Sequence, residues 1–263
     1  MTAKGSRMGL SRTTAFVAAL VGAVASSSSA WASACIASKG GEAPVPYTSP
    51  AESANFVYKI TFNPHSRTPD VSHRRFRVKS IAGDKVRWYR EPMHGKGPIQ
   101  DVTLYRAFAG VAAGGGWEFK FDAAIYDTLW PLKQGNSVDY VADAIQNGEL
   151  KFKQRIQICV RGSKTLKLSA GDFQAHLVDI TISLFDAVKE QPWDRLETSA
   201  WYVPKFGTAL LMDDHFYKKN KTVLTQRREA VETPSPVSVK KMESEKPAEP
   251  APPNFQFPGI NTK

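Results

Sequence analysis

Leu150-Lys151-Phe152-Lys153-Gln154-Arg155-Ile156-Gln157-Ile158-Cys159-Val160 decides the class of fold. Leu150, Phe152, Ile156, Ile158 and Val160 share one parity; Lys151, Lys153, Arg155, Gln157 and Cys159 share the other. A period of two is the signature of a strand with one face toward a core and one toward water. A helix would scatter these residues around its circumference. The stretch is therefore read as a strand, with Cys159 on its polar face.

The same alternation extends outward. Arg74–Ile81 and Lys85–Glu91 flank Ala82-Gly83-Asp84 and read as a hairpin. A three-residue loop sets Ile81 opposite Lys85 and Val78 opposite Trp88. Phe76, Val78, Val86 and Trp88 then share one face, and Arg75, Arg77, Lys79 and Arg87 the other. A two-residue loop would mix the faces, so three residues are expected. Further strands are expected over Phe56–Phe62, Ile99–Phe108, Ser137–Ile145, Lys164–Leu168, Phe173–Phe185, Leu196–Val203, Ala209–Tyr217 and Lys221–Arg228, punctuated by Gly83, Gly148, Gly162, Gly171 and Gly207. No stretch of helical period stands out. The connections are too short for parallel crossovers, so the sheet is expected to be antiparallel.

The two ends differ from this body. Residues 1–34 carry Lys4, Arg7 and Arg12 with no acid, then the apolar run Ala15–Ala25 and small residues up to Ala34. The run is too short to span a bilayer, which takes about 20 helical residues, and the pattern reads as a secretory signal peptide. A lipid anchor on Cys35 wants an aliphatic residue, usually Leu, where Ala32 stands, so ordinary cleavage is expected. Residues 35–54 read as an extended lead-in, with three prolines between Gly40 and Ser53. Residues 55–230 form the expected β domain. Residues 231–263 form a tail with seven prolines between Thr233 and Pro258, a composition expected to be disordered.

Chain length, 263 residues, fits one or two domains of roughly 100–200 residues each. The net charge of +10 falls to +6 for the middle once +3 from residues 1–34 and +1 from residues 233–263 are removed. Cys35 and Cys159 are the two cysteines, too few for a cysteine-built metal site and enough for one disulfide. An exported chain meets an oxidising compartment, so a Cys35–Cys159 bridge is expected, pinning the lead-in to the outside of the sheet. The expected location is the periplasm.

Three further segments carry a resemblance. They are Leu129-Trp130-Pro131-Leu132-Lys133-Gln134-Gly135, then Cys159-Val160-Arg161-Gly162 with Leu168-Ser169-Ala170-Gly171-Asp172-Phe173-Gln174-Ala175, and last Trp201-Tyr202-Val203-Pro204-Lys205-Phe206-Gly207. In order and spacing they resemble a family of exported bacterial proteins of unknown function. The resemblance spans roughly residues 125–217. It implies a single curved antiparallel sheet, the half-barrel of periplasmic lipoprotein carriers, and it implies no reaction.

Chemistry is sparse by comparison. His65, His73, His94, His176 and His215 are scattered and form no HExxH box. Asp213-Asp214-His215 is the densest polar cluster; on a strand, Asp213 and His215 share a face, most simply a solvated one. There is no G-x-S-x-G elbow, and Gly114-Gly115-Gly116 lacks the Lys-Ser/Thr of a phosphate loop. No catalytic residue, metal site or cofactor is assigned. Arg75, Arg77, Lys79 and Arg87 form a basic face suited to anionic lipid or an anionic envelope polymer, or else a solvated edge protected from aggregation. Nucleic acid is not an expected partner of an exported protein. The expected function is non-enzymatic binding or carriage of an apolar or amphiphilic envelope molecule. A structural or interaction module using the basic face is the alternative, and a hydrolase comes third.

Overall fold

The computed structural model describes Cys35 and residues 43–94, 97–186 and 192–234. The signal peptide and almost all of the proline-rich tail expected from the sequence lie outside these residues. Twelve strands follow one another: β1 (Asn55–Phe62), β2 (Asp70–Ala82), β3 (Lys85–Pro92), β4 (Gln100–Tyr105), β5 (Ala109–Ala113), β6 (Trp117–Lys120), β7 (Ser137–Gln146), β8 (Glu149–Leu168), β9 (Gly171–Phe185), β10 (Pro192–Val203), β11 (Thr208–Lys218) and β12 (Lys221–Glu232). A five-residue helix, α1 (Ala123–Asp127), separates β6 from β7. Each strand pairs antiparallel with the next, and β12 returns to β1, so the sheet closes into a barrel.

Closure corrects the half-barrel expectation. Two features achieve it. β5 and β6, short and built from AGVAA and WEFK, bridge the gap between β4 and β7. At the seam, Tyr58 opposes Ala230 and Ile60 opposes Arg228. A closed barrel has no edge strand, so each strand has a ladder partner on both sides.

β8 follows the alternation that identified it. Phe152, Gln154, Ile156, Ile158 and Val160 are buried along its even positions, while Leu150 at its start is exposed. It does not stop at Gly162. The strand runs 20 residues to Leu168, with an irregularity between Val160 and Gly162 that a glycine at φ 149° accommodates. The β2–β3 hairpin corrects a second expectation. Ala82 pairs with Lys85, so the loop has two residues, Gly83 and Asp84. A bulge between Val78 and Ser80 absorbs the extra residue, and Val78 still faces Trp88. Phe76, Val78, Val86 and Trp88 are all buried as expected.

One end of the barrel is covered from within and from outside. Between β6 and β7, Asp122 caps α1 by accepting a hydrogen bond from the Ala124 N–H at 2.9 Å. Tyr126, Leu129 and Leu132 from this segment are fully buried among Tyr140, Ile158, Val178 and Tyr202. Arg106 in the β4–β5 turn ties α1 down, pairing with Asp127 at 3.1 Å and with Asp84 at 2.7 Å. The lead-in passes over the same end. Val45 and Leu132 exchange backbone hydrogen bonds of 2.8 and 2.7 Å, and the Tyr202 hydroxyl reaches the Thr48 carbonyl at 3.4 Å. Cys35 is bonded to Cys159 with the Cα atoms 5.7 Å apart. Cys159 has polar-face parity, yet the lead-in half of the bridge leaves it only 1% exposed. A closed bridge of this kind belongs to an oxidising, extracytoplasmic compartment. No helix among the described residues is long and apolar enough to cross a membrane.

Candidate functional site

Inward-facing side chains decide what the barrel can hold. From β4 through β11 they are chiefly Val102, Leu104, Phe119, Tyr140, Ala142, Ile156, Ile180, Ile182, Leu196, Ala200 and Met212, with Phe108 and Phe121 from the turns. They do not fill the interior. A cavity of about 280 Å³ remains, to which every strand from β3 to β12 contributes. That volume lies just below the range for drug-sized ligand sites, about 300–1,000 Å³. Several apolar wall residues, among them Leu104, Phe119, Ile182 and Leu196, remain only half-buried because they face this space. Small residues create it: Gly110, Ala112 and Ala113 on β5, Ala142 on β7 and Ala200 on β10 stand where larger side chains would close it.

The polar groups of the cavity come from β3, β8, β10 and β12. Arg228 on β12 makes a bidentate pair with Asp214 on β11, Nε to Oδ2 at 2.9 Å and Nη2 to Oδ1 at 3.0 Å. Thr198 on β10 donates to Asp214 Oδ1 at 2.7 Å. Asp214 is 2% exposed, so this carboxylate is fully committed to the wall. Gln154 on β8 is also buried in the lining. Arg90 on β3 projects into the same space, its guanidinium 4.9 Å from the Phe76 ring centre. Burial, chiefly, and then the Arg228 charge bring the Arg90 guanidinium down to about 10, Arg74 adding to the effect and Asp214 opposing it. Arg90 is enclosed by the barrel wall but is only half-buried by its own surface, because part of it meets the cavity.

The basic face lies on the opposite side of the wall. Arg77, Lys79 and Arg87 are exposed, and Arg75 is half-buried across from Glu91. Arg87 is engaged by Asp101 in a bidentate pair, and Lys79 and Arg87 both sit over the Tyr89 ring, at 5.3 and 5.8 Å. Asp213 and His215 do share a face, as expected. It is the outer one, in a polar cleft of about 290 Å³ with His65, Ser199 and Arg227. There Asp213 pairs with Arg227 at 3.4 Å, and Ser199 donates to Asp179 at 2.8 Å. Among the described residues no group of three or more His, Cys, Asp or Glu side chains is arranged to hold a metal ion.

The inward arginines were passed over in the sequence. Arg74 and Arg90 have the even numbering of Phe76 and Trp88, which sets them on the inward face and apart from Arg75, Arg77 and Arg87. Parity was the available signal.

No family model matches this chain, and no curated protein does. Three solved structures are similar to it. A candidate lipoprotein from Parabacteroides distasonis aligns at 11% identity with a TM-score of 0.39, covering 73% of this chain and all of that one. The hypothetical lipoprotein YmcC from Escherichia coli aligns at 9% identity with a TM-score of 0.41, covering 70% of this chain and 86% of that one. A candidate exported protein with a YmcC-like fold from Bacteroides fragilis aligns at 10% identity with a TM-score of 0.38, covering 73% and 100%. These likenesses are too distant to carry a function to this chain.

Proposed function

We propose that this protein is exported to the periplasm and binds or carries an apolar or amphiphilic envelope molecule inside its barrel, without catalysing a reaction. One observation carries the reading. A well-packed barrel interior leaves few voids larger than a water molecule, whereas this one keeps an apolar cavity of about 280 Å³ walled by strands β3 to β12. The carboxylate at its edge, Asp214, is held by Arg228 and Thr198, which suits it to shaping the wall rather than moving protons. The signal-like residues 1–34 and the Cys35–Cys159 bridge support export.

Native mass spectrometry of the full chain purified from periplasm tests this reading. A co-purified mass of a few hundred daltons that is released into organic solvent is expected. Protein that carries no such mass, and that takes up no alkyl probe when offered one, would overturn it.

A further inference from the structure

The cavity holds more positive charge than its own wall neutralises. Arg228 is satisfied by Asp214. Arg90 is not. Its Nε is buried without a hydrogen-bond partner, and its guanidinium lies over the Phe76 ring. Arg74 stands on β2 in the same inward row as Phe76 and Val78, and its Nη1 is likewise buried and unpartnered. Tyr58, which opposes Arg74 across β1, donates its hydroxyl to the Ala209 carbonyl at 2.7 Å and so offers Arg74 no charge. Buried donors without partners are rare in folded proteins, and one that lines a cavity is a natural contact for whatever fills it. The Arg90 guanidinium in the wall of an apolar cavity, with the Arg74 charge close enough to act on it, specifies what that partner is. It must bring anionic oxygens to the arginines and hydrocarbon to the rest of the wall.

We propose that the cavity takes a single-chain anionic amphiphile, its carboxylate or phosphate seated on Arg90 with Arg74 and Arg228 beside it, and its chain against Leu104, Phe119, Ile182 and Leu196. The inference rests on the binding function proposed above and adds the charge of the ligand. The head group gives Arg90 charge-assisted hydrogen bonds, which are roughly twice as strong as neutral ones. The small residues of β5, with Ala142 across the cavity, leave room for the chain.

Isothermal titration of the delipidated full chain with decanoate, decanol and inorganic phosphate separates the terms. Decanoate should bind at least tenfold more tightly than decanol, a difference of about 1.4 kcal/mol, and phosphate alone should bind weakly. Arg90→Met should remove the preference for decanoate over decanol. Arg74→Gln should weaken decanoate several-fold, and it serves as the test if Arg90→Met does not fold. Equal binding of decanoate and decanol, unmoved by Arg90→Met or Arg74→Gln, would overturn the head-group assignment and leave the cavity function standing. Phosphate binding as tightly as decanoate would also overturn it, since the site would then be one for free anions. Failure of both alkyl probes would remove the cavity function and this proposal together.

Discussion

Asp214, buried behind Arg228, and Arg90, in the cavity wall, are under opposite constraints. Asp214 accepts three hydrogen bonds, two from Arg228 and one from Thr198. Asp214→Asn leaves Arg228 without its counter-charge in a half-buried site, and breaking such a pair from one side costs about 3–5 kcal/mol. Thr198→Val removes one hydrogen bond and should cost nearer ~1 kcal/mol. Urea unfolding midpoints check both; similar small losses would mean that water reaches the pair. Arg90 is the converse case. It is enclosed without a carboxylate of its own, and burial with the Arg228 charge lowers its affinity for a proton. Arg90→Met should therefore raise the melting temperature of the ligand-free protein, the sign expected of a residue kept for binding. A fall of several degrees would show that the guanidinium stabilises the empty barrel. Gly207 tests the outer wrapping. It lies at φ 63°, and a Cβ there would collide with the Thr48 carbonyl oxygen and with the Pro50 nitrogen at 2.6 Å. Gly207→Ala should destabilise the protein by at least about 1 kcal/mol through strain and displacement of the lead-in. A neutral result would mean that the lead-in is loosely held.

At the scale of elements, two features outside the ladder hold the barrel's covered end: the disulfide and the segment containing α1. The bridge spans 124 positions of sequence. In the chain-entropy model a loop of that length is worth on the order of 4–5 kcal/mol. Cys35→Ser and Cys159→Ser should each destabilise by similar amounts, and the double variant no more than either, because one bond is lost in all three. Additive losses would contradict the pairing. Asp139 on β7 gives an acid-side test. Burial alone would raise its carboxyl, but hydrogen bonds from Arg155 and Gln157 on β8 outweigh it and hold the group below the ordinary carboxylate range. A lowered native value means this contribution is complete above the unfolded Asp value of about 3.9 and is lost as pH falls through the lower native one. Asp139→Asn should flatten the stability curve below about pH 4 and nowhere else. A curve unchanged there would show that the pair is fully screened.

Much of this was legible in the residues. The alternation in β8 fixes both its faces, and Val78 opposite Trp88 follows from the hydrophobic pattern of β2 and β3. Loop length was misread because a bulge and a turn can trade a residue without disturbing the buried face, and sequence pattern records only the face. β5 and β6 were missed for a different reason. AGVAA has small side chains on both faces, and the Gly114-Gly115-Gly116 beside it reads as a flexible turn, so neither strand contrasts with its surroundings. The smallness that hid β5 is what opens the cavity. Arg74 was obscured by Arg75 beside it and Arg90 by Arg87 three positions before it, arginines whose side chains face the other way.

Across the whole molecule, the decisive feature is closure. An open sheet would expose its concave face to water and leave two strand edges to protect. Pairing β1 with β12 removes the edges and turns the apolar face into an interior, covered at one end by the α1 segment and the lead-in. The ligand proposed above would lie in that interior. Ala142→Trp places a large side chain on the cavity wall and should fill it while leaving the ladder intact. The most direct test is native mass spectrometry of this variant beside the unaltered protein, both purified from periplasm and both checked by circular dichroism. The account predicts a bound amphiphile on the unaltered chain and its loss from a folded Ala142→Trp. The same mass retained on folded Ala142→Trp at full occupancy would contradict it, placing the ligand outside the barrel.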